Sequence, residues 1–357
     1  MLRIIIFVIF LVCGVLVKGE PKVPCYFIFG DSLSDVGNNN NLRTMVKANY
    51  PPYGVDFPGG VPTGRFTNNR TIEDYISTYL GFDKTIAPYK DLMGQDILRG
   101  VNFASGSGGI LMETGAQLGD RIWLDRQIQN YMMTILRLQF MVFDPVSNYL
   151  NKCLYTVNIG SNDYLNNYFL PQYYPSQRVF TPDQYADLLI SRYRSRLRTL
   201  YITGARKFAI FGIGNLGCIP SQIIRNNATG CVDEINQAAN MFNTKLKSLV
   251  DELNAMLPGA KFTLISLSNL QALSPLPAGI NSNSTCCKLR SDFQCEPYST
   301  PCANRDLYAF FDGFHPTDVI NGGVAEAAYS SPDRRIANPM NINELTSNQQ
   351  GKATHRH

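Results

Sequence analysis

Along the chain, short unbroken apolar runs alternate with longer stretches in which apolar residues return every third or fourth position. The runs are Tyr26–Phe29, Leu98–Phe103, Cys153–Ile159, Lys207–Ile213 and Lys261–Ser266. Each is too uniformly apolar to keep one wet face, as expected for strands of a sheet covered on both sides. Between them lie helical patterns. Thr181-Pro182-Asp183-Gln184 has the layout of a capping box with proline at the first helical position. Tyr185, Leu188, Leu189, Tyr193, Leu197 and Leu200 follow at helical spacing. Ile235, Ala239, Phe242, Leu246, Leu249, Leu253 and Met256 make a second stripe, stopped by Pro258-Gly259. Pro316-Thr317-Asp318 opens a last short helix towards Tyr329. Strands alternating with helices predict one doubly wound α/β domain, with a mainly parallel sheet of about five strands. In such sheets, functional groups gather beyond the carboxyl ends of the strands.

The N-terminus departs from this pattern. Met1-Leu2-Arg3 is followed by an uncharged apolar run, Ile4 to Val17, and then by Lys18-Gly19-Glu20. That is the layout of a cleavable secretory signal peptide, and the run is shorter than the roughly 18 residues expected of a membrane span. Residues 1–19 are therefore read as signal, 20–335 as the folded domain, and 336–357 as a polar C-terminal tail. The cysteines fit a secreted chain. Cys13 leaves with the signal, and Cys25, Cys153, Cys218, Cys231, Cys286, Cys287, Cys295 and Cys302 remain. An even set in an oxidising compartment reads as disulfides. The pairing stays open: Cys218–Cys231 is a local candidate, and the last four would staple a loop-rich segment. A zinc site in that segment would lack paired CxxC spacing. Asn69, Asn227 and Asn283 each head an N-x-[ST] sequon and are candidate surface glycan sites.

Composition then excludes several chemistries. The 357 residues are 45% hydrophobic and 17% charged, with a formal charge of +4. That is globular composition, and the charge is too small and dispersed to argue for a nucleic-acid partner. The densest basic run, Arg192, Arg194, Arg196 and Arg198, is read as a solvated helix face. Only three histidines occur, His315, His355 and His357, and the last two sit at the extreme C-terminus, where they are read as inert. A multi-histidine zinc site, HExxH and a GxxxxGK[ST] loop are all lacking. No metal or cofactor is expected, and any positioned imidazole must be His315.

Four blocks carry candidate chemistry. The first run breaks into Gly30-Asp31-Ser32-Leu33-Ser34-Asp35. A serine just past a buried strand can act as nucleophile, although Ser and Asp also serve as ordinary helix caps. Asp312-Gly313-Phe314-His315 could supply a base and its orienting carboxylate. Gly160-Ser161-Asn162-Asp163 offers an amide to an oxyanion, and Gly106-Ser107-Gly108 could offer a backbone N–H to the same oxygen. Each block alone is equally compatible with turn formation.

Together the four blocks resemble those of the GDSL esterase/lipase family within the SGNH-hydrolase superfamily. The match runs in order from Phe29-Gly30-Asp31-Ser32-Leu33-Ser34-Asp35-Val36-Gly37-Asn38 to Asp312-Gly313-Phe314-His315-Pro316. Pro62-Thr63-Gly64-Arg65-Phe66 and Leu216-Gly217-Cys218-Ile219-Pro220 resemble further stretches of its secreted plant branch. The resemblance implies a three-layer α/β/α, flavodoxin-like fold and a secreted esterase acting through an acyl-enzyme without a cofactor. Ser32 would be nucleophile, His315 base and then acid, and Asp312 its partner. The backbone N–H of Ser32, the Asn162 amide and one N–H from Gly106, Ser107 or Gly108 would hold the oxyanion. Two departures stand out. Ser107 replaces a glycine usual in the family, so a positive φ would cost more there, and Asn215 stands where proline is common. An acyltransferase using the same triad on an alcohol acceptor is an alternative. So is a non-catalytic secreted glycoprotein that binds carbohydrate or lipid.

Overall fold

The computed structural model describes residues 19–273 and 279–347. The expected signal segment, apart from Gly19, lies outside the described residues, as do His355 and His357.

Five strands form the main sheet in the order of their numbering: β1 (Tyr26–Gly30), β2 (Leu154–Asn158), β3 (Lys207–Phe211), β4 (Lys261–Ile265) and an edge strand, Ala337–Asn338. The first four pair in parallel and the edge strand runs antiparallel to β4. Side chains alternate between two cores, which is why these strands read as continuous apolar runs. Phe27, Phe29, Tyr155, Val157, Phe208, Ile210 and Phe262 face one layer of helices. Tyr26, Ile28, Leu154, Ala209, Phe211 and Ile265 face the other. The first layer holds α1 (Leu124–Leu138), α2 (Pro182–Ile202) and α3 (Asp233–Met256). The second holds Ile72–Tyr79, α4 (Asp318–Ser330) and α5 (Ile342–Thr346). This is the expected three-layer α/β/α arrangement.

Local signals act as anticipated. Thr181 and Gln184 form a reciprocal capping box, with Pro182 in the first turn of α2. α3 ends at Met256, just before Pro258-Gly259. On α2, Arg194 forms a bidentate ion pair with Glu252 of α3, and Arg196 pairs with Asp125 of α1. Half of the basic run is thus committed to neighbouring helices.

Two expectations need correction. Leu98–Phe103 is not a strand. Its first residues belong to a 3-10 turn, Gly94–Arg99, and only Asn102 bridges to Ile28. Gly100 forces the break: its φ is +106°, and a side chain there would lie 2.0 Å from the Tyr26 carbonyl oxygen. Residues 336–357 are not simply a polar tail, because Ile336, Ala337, Ile342 and Leu345 are buried. Their segment completes the sheet edge and closes one helical layer.

All eight cysteines among the described residues are paired: Cys25–Cys153, Cys218–Cys231, Cys286–Cys302 and Cys287–Cys295. The last two staple a lobe beside the sheet, where β5 (Asn281–Thr285) pairs with β6 (Tyr308–Phe310). Its core contains Tyr53, Phe66, Cys286, Cys287, Cys295 and Phe311.

The buried C-terminal segment yields a prediction. Leu345→Ala should lower unfolding free energy by about 2–5 kcal/mol in urea titrations. A stop after Ser347 should leave stability unchanged, whereas a stop after Arg335 should prevent accumulation of folded protein. Near-UV circular dichroism distinguishes these outcomes.

Candidate active site

The Gly30–Asp35 block, with the expected nucleophile Ser32, begins where β1 ends. Asp31 N–H donates to Asn158 O of neighbouring β2 (3.2 Å), and a tight turn returns Ser34 and Asp35 N–H groups to Asp31 O. The turn needs glycine before it, because a side chain on Gly30 would approach Asn158 O and Ser34 Oγ to 2.8 Å. Ser32 is left half-buried at the rim. Its N–H meets no intramolecular acceptor among the described residues.

The second block arrives from the disulfide-bonded lobe. Phe311 N–H donates to His315 O, closing a loop that holds Asp312 and His315 together. His315 Nε2 lies 2.7 Å from Ser32 Oγ, and Nδ1 lies 2.8 Å from Asp312 Oδ2. Asp312 Oδ1 also accepts the N–H groups of Phe314 and His315, both at 2.8 Å. Asp312 is fully buried, and only the edge of His315 reaches solvent. The rings of Phe66 and Phe314 flank His315, with centroids 5.0 and 5.9 Å away. Both stretches noted as additional family features approach this region. Phe66 lies in the first, and the second leads into Ser221, whose N–H donates to Gly313 O (2.8 Å).

Asn162 follows β2 at the start of the short helix Ser161–Asp163. One Nδ2 hydrogen goes to Gly108 O (3.1 Å), and its Oδ1 accepts from Asn166 Nδ2. The second Nδ2 hydrogen remains for another acceptor. Within the glycine-rich loop the expectation must be narrowed. Gly106 N–H is held by Asp35 Oδ2 (3.0 Å), and Gly108 N–H by Ser105 O (3.0 Å). Both glycines are therefore occupied as donors. Ser107 N–H meets no intramolecular acceptor among the described residues. Ser107 adopts φ +59°, the left-handed conformation that its side chain disfavours.

Sequence reasoning missed the residues that knit these loops together. Asp35 accepts the N–H groups of Gly37, Asn38 and Gly106, joining the nucleophile turn to the glycine-rich loop. Asp163 accepts Ile110 N–H, Leu111 N–H and Thr114 Oγ1, joining that loop to the Asn162 block. Gln127 on α1 spans the Gly30 amide and carbonyl. The run Asn38–Asn41 was the available signal. Its members Asn38 and Asn39 bind the carbonyls of Asn102, Ala104 and Gly106.

Of the three sequons, Asn227 is exposed. Asn69 is half-buried, and one of its two Nδ2 hydrogens goes to Asp318 Oδ2 (3.1 Å). The Asn283 side chain lies outside the described residues. Among the described residues no group of three His, Cys, Asp or Glu side chains is arranged to hold a metal ion, and no helix is long and apolar enough to cross a membrane.

Two further carboxyls lie buried beneath the nucleophile turn. Burial pushes Asp31 and Glu73 up to about 7, and each leaves one oxygen without a hydrogen-bond partner. Both therefore bind a proton more tightly in the folded protein than in the unfolded chain. Their contribution to stability is fully present below about pH 4 and is lost as pH rises through 7. Asp74 behaves oppositely: burial would raise it, but the Arg65 guanidinium beside it outweighs burial and holds it low. Its contribution is lost only under more acidic conditions. Urea midpoints should therefore fall between pH 5 and pH 8, and Glu73→Gln should make that fall shallower. A midpoint that rises over this range would contradict the assignment.

A family model described as GDSL-like Lipase/Acylhydrolase matches residues 26–328. One GDSL esterase/lipase of Arabidopsis thaliana is 46% identical over 351 residues, covering 95% of this chain and 96% of that protein. Another from the same organism is 46% identical over 338 residues, covering 92% of this chain and 93% of that protein. A carbohydrate acetylesterase from Sinorhizobium meliloti is a remote structural likeness only. Its TM-score is 0.39 and its identity 12%, covering 85% of this chain and 95% of that one.

Proposed function

The chain belongs to the GDSL-like lipase/acylhydrolase family and is a carboxylic ester hydrolase, and from that premise we propose that it works through an acyl-enzyme on Ser32. The observation that carries this reading is the unbroken chain of hydrogen bonds from Ser32 Oγ through His315 to buried Asp312. A hydroxyl becomes a competent nucleophile when a base takes its proton as it attacks. His315 Nε2 receives that proton while Ser32 Oγ bonds to the ester carbonyl carbon. Asp312 holds the ring and stabilises the imidazolium.

The carbonyl oxygen becomes an oxyanion held by the Ser32 N–H, the Ser107 N–H and the remaining Asn162 Nδ2 hydrogen. Ser107 is chosen over Gly106 and Gly108 because those two N–H groups are already engaged. A backbone donor is indifferent to the side chain it carries, so the glycine-to-serine departure is compatible with the role. His315 then protonates the departing alkoxide as its C–O bond breaks, leaving the acyl group on Ser32. Water enters, gives a proton to His315 and attacks the acyl carbon. Return of that proton to Ser32 Oγ releases the acid.

We also propose that the enzyme is secreted after loss of residues 1–19 and carries a glycan at Asn227. The four disulfides support an oxidising compartment.

A fluorophosphonate should label Ser32 in folded protein and fail to label Ser32→Ala. Unlabelled, folded wild-type protein overturns the acyl-enzyme reading. Asn162→Ala should lower turnover of a p-nitrophenyl ester by about 10²–10³ with near-UV circular dichroism unchanged. Turnover close to wild type would remove Asn162 from the oxyanion site.

A further inference from the structure

The Asp312 carboxylate has a partner outside the serine–histidine chain. Tyr53 is fully buried, and its hydroxyl lies 2.5 Å from Asp312 Oδ2. The same hydroxyl oxygen accepts the Cys295 N–H at 3.1 Å. A backbone N–H can only donate, so the tyrosine's own hydrogen is directed to the carboxylate. Tyr53 is locked from several sides. Its ring packs against Tyr50, Phe66 and Phe311, with centroids 5.3, 6.0 and 5.7 Å away. Cys295 is bonded to Cys287, and its carbonyl accepts the Tyr50 hydroxyl at 3.0 Å.

We propose that Tyr53 is a positioning residue for ester hydrolysis, fixing the Asp312 carboxylate plane and moderating the charge it presents to His315. This inference rests on the acyl-enzyme reading above. The two Asp312 oxygens are held from opposite sides. Oδ1 takes two N–H groups from its own loop, and Oδ2 takes the tyrosine. Removing the hydroxyl leaves the His315 Nδ1 contact as the remaining restraint on Oδ2. The carboxylate stays pinned at Oδ1, which also lies 2.9 Å from His315 Nδ1, but Oδ2 loses its fixed donor and its share of the plane's restraint. It also carries more charge, because a donor no longer draws on it. The ring at His315 is consequently less well aimed, and its imidazolium form is held more tightly. Burial, followed by the Asp312 charge, pushes Tyr53 ionisation well up, so it stays a donor across the working range. The other titratable neighbour of His315 is Asp31. Tyr50 lies beside Tyr53, with Arg290 and Asp292 beyond it.

The test is Tyr53→Phe in the full mature chain, assayed on a p-nitrophenyl ester across pH. The expected result is a kcat loss of roughly 10- to 100-fold with KM little changed. The acid limb of kcat/KM should move up by about one pH unit. Tyr50→Phe loses a bond to Cys295 and lies beside Tyr53, but it makes no hydrogen bond to Asp312, so it should move that limb much less than Tyr53→Phe does. Replacing Tyr53 by 3-fluorotyrosine keeps the ring and makes the hydroxyl a stronger donor to Asp312, so the acid limb should move down instead of up. It provides a second reading if Tyr53→Phe folds poorly. Rates are normalised to the folded fraction measured by near-UV circular dichroism. An unmoved acid limb in Tyr53→Phe, the same shift in Tyr50→Phe, or a limb that fails to move down with 3-fluorotyrosine at position 53 overturns the proposal. Fluorophosphonate labelling of wild-type Ser32 separates the two readings. If it succeeds while these outcomes occur, Tyr53 alone loses its role; if it fails, the acyl-enzyme reading falls first.

Discussion

The reacting edge depends on carboxylates withdrawn from water and surrounded by hydrogen-bond donors. Asp35 accepts three backbone N–H groups, Asp163 two plus a hydroxyl, and Asp312 two plus a phenol and an imidazole. Burying a charge is costly unless such partners replace its hydration. The loops that donate must in turn hold their shape, because a donor moved away leaves both itself and the carboxylate unsatisfied. Asp35 therefore fixes the glycine-rich loop relative to the nucleophile turn, and Asp163 fixes it relative to Asn162. Irregular backbone, which would otherwise be free to drift, becomes part of a rigid frame above the sheet.

That frame also explains which parts of the molecule could be read in advance. Strands β1 to β4 announce themselves because both faces are dry, and Thr181-Pro182-Asp183-Gln184 marks a helix start through purely local bonds. Those signals act over a few residues. The fifth strand is two residues long, and nothing local distinguishes Ala337–Asn338 from a turn. Its stability comes from pairing with β4 and from Ile342 and Leu345 packing nearby. Their few apolar side chains are diluted among Asn, Glu and Ser, so the segment reads as a tail. Leu98–Phe103 fails in the opposite direction: it has strand composition, but Gly100 turns the chain at positive φ after a 3-10 turn, so only the residues beyond it bond to β1.

The same contrast runs through the site. Ser32, Asp312, His315 and Asn162 stand in recognisable blocks, each placed just after a strand or within one short loop. Asp163 and Asp35 lie inside two of those blocks, yet their work is invisible there. The partners through which they join the loops are 49 to 71 residues away. Tyr53 is still harder to find, since it meets Asp312 across 259 residues. Pairings at that distance are set by how layers and lobes pack, and a single sequence records them only as polar or aromatic residues without an evident local role. The choice among Gly106, Ser107 and Gly108 likewise required knowing where each N–H was already committed.

The residues proposed for catalysis come from two bodies that fold by different means. Ser32 and Asn162 follow parallel strands, whose positions are set by the sheet and its helical layers. Asp312 and His315 belong to a lobe organised around β5, β6 and two disulfides, with Cys286 and Cys287 N–H groups bonded to Phe310 and Phe311 carbonyls. At Ser32 Oγ these two supports meet in the 2.7 Å contact with His315. A small shift of the lobe would therefore leave the sheet intact while opening the proton path. The lobe is held by features that do not touch substrate: paired cysteines, the Phe66 ring against His315, and the Ser221 N–H on Gly313. In the proposed mechanism its rigidity acts on the rate rather than on the fold, because Ser32 can be correctly placed and still lack an aligned His315.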